Sequence, residues 1–296
     1  MSRTNNAMGF TVTKIMVIES LEPDEHKTGA ELAEHLRAEV TRMGLELQVD
    51  YLTCWSSIDF QKILHQVKLE AETGQIPIIH VECHGDKIEG LEFENGSILS
   101  WDSFASSLLP INVATGFNLL TVVSACFGAY FLGMIGAIKE SPCYGIVAPS
   151  DTIRPSELLR GFKSYYTTFL GTFDAGKAAR SLAREKLSTG RWFTQIAELW
   201  FEKIVKGYVT NYCTKNAVRD RAGRMYQKLK KEHVQDHVGR LRRAIKKRNR
   251  ESLLQDYFDK FFIVHKILNN VERFGSTRDR MQRTLDGYRS TGRYVL

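Results

Sequence analysis

The feature that most constrains this chain is a repeated exchange of two periodicities in its first half. "KIMVIES" (14–20), "LELQVDYL" (45–52) and "IPIIHVEC" (76–83) are short apolar runs. Between them, apolar residues recur at helical spacing, first Leu32, Leu36, Val40 and Met43, then Ile63, Leu64 and Val67. Short strands alternating with helices predict parallel pairing, because a parallel neighbour can be reached only through a crossover long enough to hold a helix. The third run is apolar on both faces, so the sheet needs helices on both sides. The expected fold is therefore α/β, a mainly parallel sheet flanked by helices.

The pattern changes after residue 83. "KIEGLEFENGSILSW" (87–101) places Asn95-Gly96 between apolar residues, a two-residue hairpin signal, and Ser100 is positioned to cap a helix through 108. A fourth strand is expected at 118–125, a helix at 128–139, a fifth strand at 143–149 ("CYGIVAP"), and a helix opened by Pro155. From about 174 the pattern reads as helical to the end, with Trp192, Phe193, Trp200 and Phe201 as an aromatic face. A boundary near residue 200 divides the chain into 1–200 and 201–296.

Composition narrows the function classes. Of 296 residues, 43% are hydrophobic and 25% charged, which is ordinary for a globular protein with a sizeable core. The five cysteines, Cys54, Cys83, Cys126, Cys143 and Cys213, are odd in number and contain no CxxC pair. That pattern points away from a disulfide framework or a zinc knuckle and toward a reducing cytoplasm. The N-terminus lacks the layout of a signal peptide. The uncharged stretch 117–138 has the length of a membrane helix, but its Thr-Val-Val followed by Gly-rich text reads better as a buried strand running into a core helix. The expectation is no membrane.

Two strands end on chemistry. "IIHVECHGD" (78–86) runs into His84-Gly85, and "LLTVVSACFGA" (119–129) runs into Cys126. In an open α/β sheet, ligands gather at the carboxyl ends of the strands, and His84 and Cys126 fall there on strands expected to be neighbours. Gly85 lets the backbone approach a substrate closely, and its N–H and that of Cys126 can serve a developing oxyanion. His80, His84 and Cys83 would also suit a metal on paper, but alternate strand residues face opposite ways, so the expectation is no metal and no cofactor. His80, Cys54, Cys143 and Cys213 are expected in the core.

On these residues, "CHGD" (83–86) and "SACFG" (124–128), the chain resembles the caspase-like cysteine peptidases, the group of caspases, gingipains, separases and bacterial caspase-like domains. The resemblance covers roughly residues 14–170. It implies that Cys126 is the nucleophile and His84 the general acid/base, acting on a protein substrate through a thioester and without a metal. It also implies a bacterial effector, of the kind found in antiviral defence or cell death. Caspases proper carry Gln-Ala-Cys where this chain has Ser124, and the first and fifth strands end on Glu19 and Asp151. If Glu19, Ser124 and Asp151 line the pocket, their charge favours Lys or Arg in the substrate.

The net charge of +7 conceals two electrostatic halves. Residues 1–202 carry 17 Lys+Arg against 25 Asp+Glu, and residues 203–296 carry 24 against 9. The basic helical half is expected to regulate the first or recruit its target, with an anionic activator such as a phosphorylated nucleotide as its partner. The competing reading is a catalytically dead scaffold whose basic half binds nucleic acid, with Tyr208, Tyr212 and Tyr226 available to stack on bases.

Overall fold

The computed structural model describes residues 11–132 and 139–296. The described residues divide into two compact units: 11–132 with 141–196, and 139–140 with 197–296.

In the first unit, β1 (Lys14–Ser20), α1 (Thr28–Met43), β2 (Gln48–Thr53), α2 (Ser57–Glu72) and β3 (Pro77–Asp86) realise the expected alternation. β4 (Gly90–Glu92) and β5 (Ile98–Leu99) form the hairpin, and α3 (Trp101–Ala114), β6 (Leu120–Ser124), β7 (Gly145–Pro149), α4 (Pro155–Thr172), α5 (Ala175–Leu182) and β8 (Trp192–Ile196) complete the unit. The sheet order is β2-β1-β3-β6-β7-β8, parallel from β2 through β7, with β8 antiparallel to β7. The fold is mixed α/β with a mainly parallel central sheet flanked by helices.

Alternation along the strands builds two apolar layers. Ile79, Val81, Val123 and Ile146 pack with Phe60 and Leu64 of α2 and Phe104 and Leu108 of α3. Ile15, Val17, Ile78, Val122 and Val147 pack with Leu32 and Leu36 of α1 and Phe162, Tyr166 and Phe169 of α4. Each layer removes large side chains from water, which is the main drive for the unit to form.

Several boundaries differ from those expected. The hairpin closes through three residues, Glu94, Asn95 and Gly96: Phe93 and Ser97 pair at 3.0 Å, and Gly96 takes the left-handed φ of 76°. The Ser100 hydroxyl accepts from the Ser103 N–H at 3.2 Å as expected, yet α3 continues through Pro110 to Ala114 because Leu108 and Ile111 still face the core. A 3-10 turn occupies Gly128–Leu132 where a longer helix was expected, and the rest of that expected helix lies outside the described residues.

The largest correction is β8. Trp192 and Phe193, expected on a helix, lie on a strand whose Trp192 pairs with Pro149 and whose Ile196 pairs with Gly145. Thr194 and Gln195 interrupt the apolar run that marks β6 and β7, and pairing with β7 decides the conformation. Among the described residues no helix is long and apolar enough to cross a membrane, and part of 117–138 is β6.

The second unit contains α6 (Ala197–Tyr212), α7 (Lys215–Lys231), α8 (Val238–Glu251), α9 (Leu253–Phe261), α10 (Asn270–Arg273) and α11 (Gly275–Ser290). Its centre is aromatic: Phe201 meets Phe258, Phe261 and Phe262, and Phe262 stacks on Phe274 with centroids 4.3 Å apart. The final residues are tied in by Val295, whose N–H donates to the Cys213 carbonyl at 2.7 Å.

Burial pushes the Cys54 and Cys213 thiols up to about 11 and Cys143 to about 12, from an ordinary 9.0. It raises the phenols of Tyr165 and Tyr166 as well. A folded-state value above the unfolded one gives stability that is complete below pH 9 and is lost as pH climbs through 11 to 12. Urea melts at pH 8 and pH 10.5 are expected to show a lower midpoint at pH 10.5. An unchanged midpoint would mean these thiols and phenols are not held protonated by the core.

Candidate active site

The order reversal at β1 and β3 makes the carboxyl edge of the first unit the place for a ligand. β3 and β6 lie side by side with Glu82 opposite Ser124, which brings His84 and Cys126 to neighbouring positions on that edge. Their closest approach is made by backbone. A Cβ on Gly85 would collide with the Cys126 carbonyl oxygen and lie 3.1 Å from the Ala125 Cβ, so only glycine lets the strand pass there.

Cys126 sits in a turn closed by the Gly128 N–H donating to the Ala125 carbonyl at 3.1 Å. The next residue, Phe127, adopts φ 58°, a left-handed conformation that costs a side-chain-bearing residue roughly 1–2 kcal/mol. The Phe127 N–H donates to the Asp151 carbonyl at 3.2 Å, which holds the turn against the end of β7. Strain of this kind persists only where its surroundings impose it, and it gathers at functional sites.

Exposure separates the cysteines. Cys54, Cys83, Cys143 and Cys213 are buried and Cys126 alone is partly exposed. Burial raises the thiols of the other four, Cys83 most plainly, and a protonated thiol is a poor nucleophile. The Cys126 Sγ lies 4.0 Å from the Ile153 carbonyl oxygen.

His84 is exposed, its side chain at 52%. Its Nε2 is 2.8 Å from Glu25 Oε1, and the other Glu25 oxygen accepts from the Glu22 N–H at 2.7 Å. Glu25 therefore holds the imidazole with Nε2–H as donor, leaving Nδ1 to accept a proton. No hydrogen bond joins His84 to Cys126. In free enzymes such pairs commonly stand apart and tighten around substrate.

Beside them, Asp86 accepts from the Ile88 and Glu89 N–H groups at 2.6 and 2.8 Å, and these bonds hold its carboxyl below the usual range. Tyr130 meets Phe127 edge-on at 5.8 Å and carries the Lys87 ammonium over its ring at 5.0 Å.

The residues expected to line a substrate pocket separate. Glu19 is 1% exposed, and its two oxygens accept from the Gly29 N–H and the Tyr51 hydroxyl, both at 2.6 Å. Ser124 is 2% exposed, with its hydroxyl buried and unpartnered among the described residues. Neither lines an open pocket: Glu19 closes the N-terminus of α1 onto β1, where a carboxylate is well placed. Glu82, beside it in register, accepts from the Thr28 hydroxyl at 3.0 Å and from His80 Nε2 at 2.9 Å, while the Tyr166 hydroxyl donates to His80 Nδ1 at 3.1 Å. His80 is thus a core residue, as expected. Asp151 is half-buried next to the Cys126 turn, its Oδ1 accepting from the Thr152 N–H at 2.8 Å. Among the described residues no cluster of His, Cys, Asp and Glu is arranged to hold a metal.

Glu25 was not among the expected site residues. The β1–α1 loop offers Glu22, Asp24 and Glu25 within four residues, and nothing in their order says which one meets the histidine.

No family model matches the chain, and no curated protein matches it. Among solved structures, the Drosophila initiator caspase Dronc is similar, with 11% identity, coverage of 66% of this chain and 86% of that chain, and a TM-score of 0.44. A likeness that loose carries no argument about activity.

Iodoacetamide at pH 8 is expected to modify Cys126 in the native protein while Cys54, Cys83, Cys143 and Cys213 react only after denaturation, as read by peptide mass spectrometry. Equal labelling of Cys54 or Cys143 under native conditions would contradict this ranking of the thiols.

Proposed function

We propose that this chain is a caspase-like cysteine endopeptidase in which Cys126 attacks and His84 moves the proton. The observation that carries the reading is the placement of the one partly exposed thiol, in a strained turn pressed onto the His84-Gly85 backbone at the carboxyl edge of the sheet. Glu25 supports it as a positioning residue, since its carboxylate holds the imidazole by Nε2.

The chemistry is acyl transfer. His84 takes the Cys126 proton, and the thiolate adds to the scissile carbonyl to give a tetrahedral oxyanion beside the N–H groups of Gly85 and Cys126. Collapse breaks the C–N bond, the imidazolium protonates the departing amine, and a thioester remains. Water, deprotonated by His84, then adds to the thioester, releasing the carboxylic acid and the thiol. No metal enters any of these steps.

The substrate is a protein, with Lys or Arg before the cleaved bond as the reading the charge supports. Of the three residues expected to set that preference, Asp151 is the one a substrate side chain reaches, because Glu19 and Ser124 are buried. The resemblance of the His-Gly and Ala-Cys steps supports a regulated bacterial effector of antiviral defence or cell death, acting in the cytoplasm.

A fluorogenic peptide with Arg before the scissile bond tests the reading. Wild-type protein is expected to hydrolyse it, and Cys126→Ala to lose at least about a thousandfold in turnover. Hydrolysis unchanged in Cys126→Ala would overturn the reading. Glu25→Gln is expected to lower kcat about tenfold with KM and Tm unchanged, since positioning acts on the chemical step. A loss in Tm with kcat intact would make Glu25 merely structural.

A further inference from the structure

The basic charge of the second unit is concentrated in one supersecondary element. Residues 215–251, which span α7, a six-residue connection and α8, hold 14 Lys+Arg against Asp220, Glu232, Asp236 and Glu251. Val218 and Ala222 of α7 and Leu241 and Ile245 of α8 form the inner stripe of the helix pair, packed with Val295. The cations occupy the remaining faces.

Many of these charges are uncommitted. Arg219, Lys228, Arg240, Lys247 and Arg248 have carboxylate partners. Arg224, Lys230, Lys231, Arg242, Arg243 and Lys246 have none within 4.0 Å among the described residues. At 1.5 Å per residue, the 17 residues of α7 extend the positive face over about 25 Å. Like charges held this close repel one another, so the array favours a ligand that supplies negative charge along its whole length.

The shape argues against a small nucleotide. A nucleotide site is a concavity with a few convergent polar groups, whereas the hollow of about 590 Å³ that Arg224, Lys228 and Lys231 line is walled by residues of α7 alone, with Asp220 among them. The cleft bounded by Arg250, Arg278 and Arg289 holds about 280 Å³. Its charge is already offset: Glu251 and Asp279 line it too, and Arg289 is paired with Asp286.

The aromatic residues argue against a single strand. Tyr208 packs edge-on against Tyr257 at 4.9 Å and receives the Arg221 guanidinium on its hydroxyl, while Phe261 and Phe262 are fully buried. Binding of single strands leans on several exposed rings for stacking; of the three tyrosines expected to stack, Tyr208 packs on Tyr257 and Tyr226 on the α7–α8 core, which leaves Tyr212, 45% exposed, as a single open ring.

We propose that the α7–α8 helix pair is a binding surface for the phosphate backbone of duplex nucleic acid, read without regard to base sequence. The proposal does not depend on the peptidase reading. Six phosphate contacts would lower the affinity about a thousandfold between 50 and 200 mM salt, because each contact releases condensed counterions.

The test is fluorescence anisotropy of the full chain with a 24-base-pair DNA duplex, the matching RNA duplex, single-stranded dT24, ATP, and vesicles containing phosphatidylserine, each across that salt range. The duplexes are expected to bind tightest with the steep salt slope, and the difference between DNA and RNA then says which is preferred. Arg242→Glu with Arg243→Glu should weaken duplex binding at least tenfold at 100 mM salt, and Arg283→Glu on α11 less than twofold. Arg242→Gln with Arg243→Gln, checked by circular dichroism, covers the case in which the charge reversal unfolds the unit. Preferential binding of dT24, ATP or vesicles, duplex binding with a flat salt slope, or duplex binding indifferent to both paired substitutions would each overturn the proposal.

Discussion

The arrangement at the carboxyl edge of the first unit depends on one close approach, the passage of Gly85 over the Cys126 peptide. Parallel pairing sets Glu82 beside Ser124, and beyond that row the two chains diverge, β3 to join β4 and β6 into the Cys126 turn. At the divergence there is room for a backbone and none for a side chain. The turn is held from the other side by the Phe127 N–H on Asp151, so Cys126 is clamped between the ends of β3 and β7. The Cys126 thiol is thereby fixed in place at the edge of the sheet.

Below that edge runs a transverse polar row. Register places Thr53, Glu19, Glu82 and Ser124 in line across β2, β1, β3 and β6. Two carboxylates buried side by side would be costly if unpaired, and each is surrounded by donors: Tyr51 and Gly29 for Glu19, His80 and Thr28 for Glu82. Three of those donors come from or lead into α1 and its flanking strand. The row thereby fixes where α1 begins, and the preceding loop, which carries Glu25, is tethered at both ends. The Lys27 ammonium donates to the carbonyls of Leu21 and Glu22, which folds the loop back on itself. Glu25, the partner of His84, thus sits on a loop whose junction with α1 is anchored by a buried network.

What was legible in the sequence was whatever a local period or a local turn controls. The strands β1, β3, β6 and β7, the Ser100 cap and the Pro155 helix start all follow from runs of a few residues. So does the close passage of the strand carrying His84 by the Cys126 turn, because both strand ends are marked by glycine. What stayed hidden was decided by partners far along the chain. Trp192–Ile196 becomes a strand only because β7 offers an edge, and its tryptophan fills the space left by Gly161 on α4. Glu19 looks like a pocket residue by position but is claimed by α1, and Glu25 is chosen over Glu22 and Asp24 by how the loop folds back. Most aromatic residues of the basic half look available in sequence and are spent on packing, Phe258, Phe261 and Phe262 fully so, while Tyr212 stays exposed.

The account turns on whether His84 and Cys126 act as one unit, since the resting structure joins them through backbone and not through a hydrogen bond. The most direct test is the rate at which an uncharged haloacetamide alkylates Cys126 at neutral pH in wild-type protein and in His84→Ala, with unfolding midpoints compared to confirm that the fold is kept. If the imidazole draws the proton from the thiol, the substitution is predicted to slow alkylation at least tenfold with the midpoint unchanged. Equal rates in the two proteins would contradict the coupling and leave Cys126 an exposed thiol without a base.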